Sequence, residues 1–166
     1  MDDLYIVTGA PGAGKSTAVA AFLQLTTDSI AFDMDWLATP ASLLAGKSIY
    51  TDPTTWPPYN ALWFEILHTI HRNGKTPVLF APLDPDDITI SGKPSWCREI
   101  RWLLLDCDDA TRHTRLAARP DWTATMVAEA LTDAQHLREQ IRHQLDTGHL
   151  SPTAVATGIL EWLAQS

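Results

Sequence analysis

Cysteine and lysine are both scarce in this sequence, and long apolar runs are absent from it. Two cysteines, Cys97 and Cys107, are too few for a disulfide framework, and we expect them to serve packing in a reducing compartment. No apolar run approaches the roughly 18 residues that cross a membrane. The acidic start Met1-Asp2-Asp3 leads directly into the first apolar stretch, so we expect no signal peptide, no membrane partner and a cytoplasmic location.

Positive charge is in the minority. The 166 residues include 12 lysines and arginines against 20 aspartates and glutamates, which gives a formal net charge of −8. A field of this sign disfavours nucleic acid and anionic membranes as primary partners. The length and the hydrophobic fraction of 45% suit one domain with one sizeable core, which we expect to span residues 1–166.

The most specific motif follows the first apolar stretch, residues 4–8, and precedes an apolar run that continues to residue 25. It matches the pattern G-x-x-x-x-G-K-[ST] of a phosphate-binding loop between a strand and a helix. Glycines let such a loop approach a ligand closely, and successive N–H groups at a helix start bind anions. We therefore expect nucleotide contacts from the whole motif, which consists of Gly9, Ala10, Pro11, Gly12, Ala13, Gly14, Lys15, Ser16 and Thr17.

Three side chains of this motif have chemistry of their own. Lys15 would reach the β- and γ-phosphates of a nucleoside triphosphate, and the Ser16 hydroxyl would be a ligand of Mg²⁺. Thr17 lies one step further into the helix, where its hydroxyl would contact the α-phosphate. The sequence thus predicts ATP and Mg²⁺ as cofactors, while the choice between ATP and GTP stays open.

Predicted strands alternate with predicted helices along the chain, which is typical of a parallel sheet with right-handed crossovers. The expected fold is an α/β three-layer sandwich with a five-stranded parallel sheet, whose ligands bind beyond the carboxyl ends of the strands. The strands are expected at 4–8, 29–32, 76–83 and 101–105, with 146–150 as a last short strand or a loop. The helices are expected at 15–25, 36–45, 59–72, 109–118, 123–131, 133–145 and 152–163, with a short helical turn after residue 84.

A pair of carboxylates, Asp33 and Asp35, ends the second predicted strand. Residues two apart in an extended segment point to the same side, so both would face the cleft beside the phosphate loop. One is suited to hold Mg²⁺ through water, and the other to accept the proton of an attacking hydroxyl. The alternative is that one of them only caps the helix that starts at Trp36.

The phosphate loop, followed by a strand that ends Asp-x-Asp, resembles the small P-loop kinases, in the style of shikimate kinase, gluconate kinase and chloramphenicol phosphotransferase. The resemblance implies the sheet order 2-3-1-4-5. It also implies that Asp33 is the magnesium-side acid and that Asp35 is the base facing the acceptor. After the third strand, however, Asp84 is not part of a clear acid pair of the kind that often supports the metal.

The same resemblance implies a mobile lid after the fourth strand, at about residues 110–131, with arginines that meet the phosphates. Arg115 and Arg119 are four apart, so they would share one helix face and could stabilise charge on the transferring phosphoryl group. The alternative is a solvated basic face paired with Asp108 and Asp109. The stretch 146–150 resembles the adenine-side loop of these kinases.

Residues 36–72 correspond by resemblance to the acceptor-binding segment, and they are rich in aromatic side chains. A phosphorylated or carboxylated acceptor would normally need arginine, but the only full cation of this segment before Arg72 is Lys47. We therefore expect a neutral hydroxylated acceptor with apolar or ring surface, such as a sugar, a nucleoside or an antibiotic. The aromatic residues are Trp36, Tyr50, Trp56, Tyr59, Trp63 and Phe64, and core packing is the alternative role for each.

The leading prediction from the sequence is an ATP- and Mg²⁺-dependent phosphotransferase acting on a small-molecule hydroxyl. Two alternatives stay open. One is a nucleoside monophosphate kinase, which predicts an arginine cluster in the acceptor pocket. The other is a nucleotide-binding switch or ATPase without a small-molecule acceptor.

Overall fold

The computed structural model describes residues 2–165. Five strands alternate with seven α-helices, and short 3₁₀ turns lie at Met34–Leu37 and Pro53–Thr55. The strands are β1 (Asp2–Thr8), β2 (Ser29–Asp33), β3 (Thr76–Phe80), β4 (Cys97–Asp106) and β5 (Gln144–Asp146). The helices are α1 (Lys15–Leu25), α2 (Ala38–Ala45), α3 (Trp56–Arg72), α4 (Pro85–Ser91), α5 (Asp109–Ala117), α6 (Ala124–Gln140) and α7 (Pro152–Ala164).

The five strands form one sheet in the order β2-β3-β1-β4-β5, and each neighbouring pair is parallel. The central strand is β1, in which Ile6 lies opposite Leu79 of β3 and Trp102 of β4. The predicted fold class and strand order are therefore confirmed. Parallel pairing brings the carboxyl ends of β1, β2 and β4 to the same edge of the sheet, where the predicted site residues lie.

Two hydrophobic clusters cover the two faces of the sheet. Because side chains alternate along a strand, Leu4 and Ile6 join the cluster on one face while Val7 joins the cluster on the other. On the first face α3 contributes Trp63 and Leu67. Burying each large side chain of this kind contributes roughly 1.5–3 kcal/mol. On the opposite face α1 and α7 pack against the sheet, which completes the three layers.

The end of α6 differs from the sequence-based prediction of a helix over 133–145. The helix stops at Gln140, and Ile141 adopts an extended conformation with its side chain buried against Leu104 and Leu137. Leu145 then lies in β5 opposite Leu105 of β4. Core burial and strand pairing therefore override a local helical pattern, and β5 lies at 144–146, largely before the expected stretch 146–150.

Three other boundaries also shift. Helix α3 begins at Trp56 rather than at Tyr59, because its two prolines occupy first-turn positions, where proline is tolerated. Strand β3 ends at Phe80, three residues earlier than predicted, and β4 begins at Cys97 rather than at Arg101. Both cysteines are buried and are not joined by a disulfide. Within residues 2–165, no helix combines the length and the apolar character that crossing a membrane requires.

Candidate active site

The phosphate loop connects β1 to α1 with a backbone that depends on glycine at two points. Gly14 has φ of 89°, a left-handed conformation that disfavours side chains. A Cβ added at Gly9 would lie 2.5 Å from the carbonyl oxygen of Leu105, so the loop packs directly on β4. No side chain caps α1 at Gly14, so the first N–H groups of the helix are available to an anion.

Lys15 and Ser16 are the first two residues of α1 and directly follow Gly14. The Lys15 ammonium donates a hydrogen bond to the carbonyl oxygen of Gly9. Burial lowers the pKa of Lys15 to about 8, although the nearby carboxylates of Asp35 and Asp33 oppose this shift. The Ser16 hydroxyl lies 3.4 Å from Oδ2 of Asp33, to which it donates, and Thr17 is exposed on the next position of the helix.

Asp33 and Asp35 lie at the carboxyl end of β2, beside this loop. Asp33 is buried, and its Oδ1 accepts the N–H of Asp35 at 3.1 Å, so it caps the 3₁₀ turn while its other oxygen faces Ser16. Asp33 therefore caps the turn, and its predicted role on the metal side stays a prediction. Oxygen ligands suit Mg²⁺, so the Ser16 hydroxyl and the Asp33 carboxylate fit the metal that the motif implies.

Asp35 is exposed to solvent at the surface of the site, yet the atoms packed around it partly remove water from its carboxylate. This desolvation raises its pKa, and the negative charge of Asp33 acts in the same direction, whereas Lys15 opposes it. A carboxylate with a raised pKa is a stronger proton acceptor. Asp35 therefore has the electrostatic properties that a general base needs.

Arg115 and Arg119 both line a cavity of about 300 Å³ above the phosphate loop. The expectation that the two arginines share one helix face is wrong, because α5 ends at Ala117, before Arg119. The Arg115 guanidinium donates to the carbonyl oxygens of Gly12 at 3.1 Å and of Thr147 at 2.7 Å. The Arg119 guanidinium lies 5.5 Å from the centroid of the Trp122 ring. The remaining lining residues of this first cavity are Gly12, Gly14, Thr17, Ala18, Thr147, Leu150, Pro152 and Val155.

Arg119 is exposed, as a solvated basic face requires, but the expected pairing with Asp108 and Asp109 is not found within residues 2–165. Asp108 caps α5 by accepting the N–H of Thr111, and Asp109 pairs with Arg138 at 2.9 Å rather than with Arg115 or Arg119. The stretch that resembles an adenine-side loop supplies Thr147 and Leu150 to the first cavity. The phosphate loop, the two arginines and the stretch 146–150 thus all contribute to the wall of this first cavity.

A second cavity of about 310 Å³ includes Asp35 in its wall. Most of its wall comes from the 34–60 region, and the rest comes from the segment after β3, which the Thr8 hydroxyl holds by donating to the Leu83 carbonyl oxygen at 2.6 Å. Trp63 and Phe64 instead belong to the core, and Trp36 is not among the lining residues. The lining residues are Met34, Asp35, Ala38, Ile49, Tyr50, Trp56, Tyr59, Asn60, Pro82, Leu83 and Asp87.

No family model matches the sequence, and no curated protein matches it either. Solved structures do share its architecture. An unliganded sugar kinase from Janibacter sp. HTCC2649 has a TM-score of 0.68 at 19% identity, with 99% of this chain and 95% of the other covered. The tunicamycin resistance protein of Deinococcus radiodurans has a TM-score of 0.67 at 19% identity, with 98% and 95% covered.

A shikimate kinase from Bacteroides thetaiotaomicron has a TM-score of 0.61 at 17% identity, with 98% of each chain covered. These superpositions agree with the strand order and with the loop after β1. This chain has the P-loop kinase fold. At these identities the likeness concerns the fold alone, so the roles of individual residues rest on the geometry of this chain.

Sequence reasoning missed the ionic cluster that supports the loop of this P-loop kinase fold. Arg112 is fully buried and pairs with Asp106 at the end of β4, and Arg138 from α6 pairs with the other oxygen of the same carboxylate. Arg112 also donates to the carbonyl oxygens of Ala10 and Pro11. Removing one partner of a buried pair leaves an uncompensated charge, so this cluster helps to fix the loop.

Four successive carbonyl groups of the phosphate loop are held from outside in this way. Arg112 holds the first two, at Ala10 and Pro11, and Arg115 holds that of Gly12. The Thr147 hydroxyl donates to the carbonyl oxygen of Ala13 at 2.7 Å. The clustering of three arginines within residues 112–119 was visible in the sequence, but their contacts with loop carbonyls were not.

Asp84 and Asp87, after β3, are the other residues whose positions the sequence left open. Asp84 caps α4, and the two residues form a reciprocal capping box in which each carboxylate accepts the other's N–H. Asp84 thus has a structural role in this P-loop kinase fold, while Asp87 also lines the second cavity. The capping pattern Asp-x-x-Asp was the available sequence signal, but it carries no information on which cavity the helix borders.

Proposed function

We propose that this chain is an ATP- and Mg²⁺-dependent phosphotransferase that moves the γ-phosphate to a hydroxyl group of a small molecule. The observation that carries the proposal is the position of Asp35. Its carboxylate is close enough to Lys15 of the phosphate loop for the two charges to interact, and it also lines the second cavity. A base between a phosphate site and a separate pocket is the arrangement that transfer to a bound hydroxyl requires.

In this proposal each residue of the site has one task. The loop N–H groups and Lys15 hold the β- and γ-phosphates, and Ser16 with Asp33 holds Mg²⁺, which when bound neutralises phosphate charge. Asp35 accepts the proton of the acceptor hydroxyl. The hydroxyl oxygen then bonds to the γ-phosphorus while the bond from that phosphorus to the bridging oxygen breaks, so that ADP leaves.

The two arginines of the first cavity have different tasks in the proposal. Within residues 2–165, the Arg119 guanidinium makes no hydrogen bond to a carbonyl group of the phosphate loop. It is therefore available to stabilise charge on the transferring group. Arg115 holds the Gly12 carbonyl and acts on the phosphates from the same wall of the cavity. Residues 110–131, which contain both arginines, are proposed as the lid.

The acceptor is proposed to be a hydroxylated small molecule with ring or apolar surface. The solved structures with this fold include a sugar kinase, a shikimate kinase and a gluconokinase, which supports a small-molecule acceptor. Among the lining residues of the second cavity there is no arginine, so nothing there favours a nucleoside monophosphate. We also propose that the protein acts in the cytoplasm and has no nucleic-acid partner.

A screen of hydroxylated metabolites and antibiotics tests the proposal. ADP release is measured with MgATP in the presence and absence of each compound, and the transferred phosphate is located on the product by mass spectrometry. We expect ADP release that depends on one class of hydroxylic compound and on Mg²⁺. ATP hydrolysis that no such compound accelerates would instead indicate a nucleotide-dependent switch or ATPase.

A further inference from the structure

The second cavity offers its occupant few side-chain hydrogen-bond donors. Trp56 donates its indole N–H to the carbonyl oxygen of Ile49 at 2.9 Å. The Tyr59 hydroxyl donates to the carbonyl oxygen of Met34 at 2.5 Å. These bonds leave the rings to present apolar surface. A ligand group that needs donors, such as a carboxylate or a phosphate, finds little here to bind it.

The remaining side chains of the wall follow the same pattern. Asn60 donates its amide N–H to the Ser91 hydroxyl at 3.1 Å, and the Tyr50 hydroxyl lies 3.3 Å from that of Thr39. None of the lining residues within 2–165 is a lysine, an arginine or a histidine. The cavity therefore lacks positively charged side chains, and several of its side-chain donors are already bonded to the protein.

Its charged side chains are two carboxylates, one of which the transfer reaction does not use. Asp35 is the proposed base. The carboxylate of Asp87 is half-buried, and within residues 2–165 it accepts a hydrogen bond only from the N–H of Asp84. Burial raises the pKa of Asp87, and the hydrogen bond from the Asp84 N–H opposes this, while the negative charges of Asp84 and Asp86 raise it further. A partly desolvated carboxylate that lacks a cation is stabilised by any ligand that brings one.

We propose that the acceptor carries a protonated amine in addition to its reacting hydroxyl, with the hydroxyl at Asp35 and the ammonium at Asp87. This inference rests on the phosphotransferase function proposed above. The ammonium supplies the donors and the charge that this wall of the cavity lacks. The rings of Tyr50, Trp56 and Tyr59 add faces that attract a cation, so an anionic acceptor is disfavoured and a cationic one is favoured.

Three para-substituted benzyl alcohols test the inference on the intact protein. They share the ring and the hydroxyl and differ in charge: 4-(hydroxymethyl)benzylamine, 1,4-benzenedimethanol and 4-(hydroxymethyl)benzoic acid. Binding is measured by calorimetry and by ligand-observed NMR with a non-hydrolysable ATP analogue present. We expect the amine to bind about tenfold more tightly than the diol, and the acid to bind most weakly. Equal binding of all three, preference for the acid, or binding of none would overturn the inference.

A variant locates the effect at one carboxylate. Asp87→Asn keeps an oxygen for the Asp84 N–H and should reduce the preference for the amine over the diol to about twofold or less. The matched control is Asp86→Asn, which lies on the same helix but outside the cavity and contacts Gln140 and His136. The control should keep the full preference. A preference that survives in Asp87→Asn would also overturn the inference, and thermal unfolding shows whether either variant is folded.

This test fails separately from that of the phosphotransferase function. The binding order of the three compounds is measured without turnover, so it does not depend on phosphate transfer. Transfer to a hydroxylic compound together with a preference for the acid would contradict only the amine inference. Nucleotide binding with the expected order but without transfer to any compound would contradict the phosphotransferase function instead.

Discussion

The two cavities of the site have similar volumes, about 300 and 310 Å³, but their charged lining residues are of opposite sign. The first is lined by Arg115 and Arg119 and lies above the phosphate loop. The second is lined by Asp35 and Asp87. A chain with a net charge of −8 thus places positive charge where phosphates would bind and keeps the neighbouring pocket negative. The net charge of a protein is therefore a poor guide to the field inside one of its sites.

The cavities also differ in how their polar groups are engaged. In the first, Arg115 is held by the backbone carbonyls of Gly12 and Thr147, so its position is fixed before any ligand arrives. In the second, the ring N–H and hydroxyl groups are committed to the protein and two carboxylates remain for a ligand. Under the proposed function, the first cavity recognises phosphates and the second discriminates among acceptors, and four predictions test this division.

The largest effect is expected from Lys15→Ala, which removes the cation at the phosphate loop. We expect phosphate transfer to fall by on the order of 10⁴-fold, because this charge would meet the transferring group directly. Acceptor-dependent ADP release is the measurement. The control, Lys75→Ala, removes an exposed lysine that lies 3.8 Å from Asp28, and it should keep full activity. Normal transfer by Lys15→Ala would refute the phosphate-loop assignment.

Asp35→Asn should have the next largest effect, because it removes the proposed base from the wall of the second cavity. A loss of roughly 10²–10³-fold in kcat is expected, with a much smaller change in KM. Steady-state kinetics at saturating acceptor measure it, and the exposed Asp133→Asn serves as control. Unchanged turnover with bound acceptor would show that Asp35 is not the base.

Arg112→Met tests the support of the first cavity rather than its chemistry. The change leaves Asp106 with one arginine partner instead of two, so the free energy of unfolding should fall by about 3 kcal/mol. Urea unfolding followed by circular dichroism measures this change. Arg142→Met alters an exposed arginine and should change the stability by less than about 0.5 kcal/mol. Equal stability of the two variants would mean that the buried cluster does not stabilise the fold.

The smallest effect is the pH dependence of nucleotide affinity. Burial lowers the pKa of Lys15 to about 8, and phosphate binding favours its charged form. Below that pH the affinity should be constant, and above it the free protein must take up a proton to bind, so the affinity falls by up to about tenfold per pH unit. Titration with a fluorescent ATP analogue from pH 6.5 to 9.5 measures the profile, and a flat profile would contradict the link to Lys15.

The sequence predicted the local patterns of the site better than the walls of its cavities. The phosphate loop and the Asp33/Asp35 pair are short patterns that follow β1 and end β2, where a strand end and a helix start fix the backbone. The order of the strands followed from the resemblance to small P-loop kinases. The roles of these residues in catalysis, and those of Arg115 and Arg119, stay predictions, as does the assignment of the chain to one domain.

The rest depended on contacts between distant parts of the chain. Ile141 ended a helix early because its side chain is buried against Leu104, which no local pattern shows. Arg112 was not singled out from the sequence, and it is completely buried. Asp87 lines the second cavity because α4 packs beside α3. In each case tertiary packing, which acts over long sequence separations, decided the outcome.

The hydrogen bonds to four successive carbonyl groups of the phosphate loop determine when the loop becomes ordered. With the oxygens of Pro11, Gly12 and Ala13 bound by Arg112, Arg115 and Thr147, the N–H groups of Gly12 and Gly14 point away from these partners. The Ala13 N–H instead donates to the Ala10 oxygen at 3.1 Å, which closes the loop internally. The concave array of N–H groups is thus formed during folding rather than by the arriving phosphate. A nucleotide that binds there meets a rigid receptor and loses little of its affinity to ordering the protein.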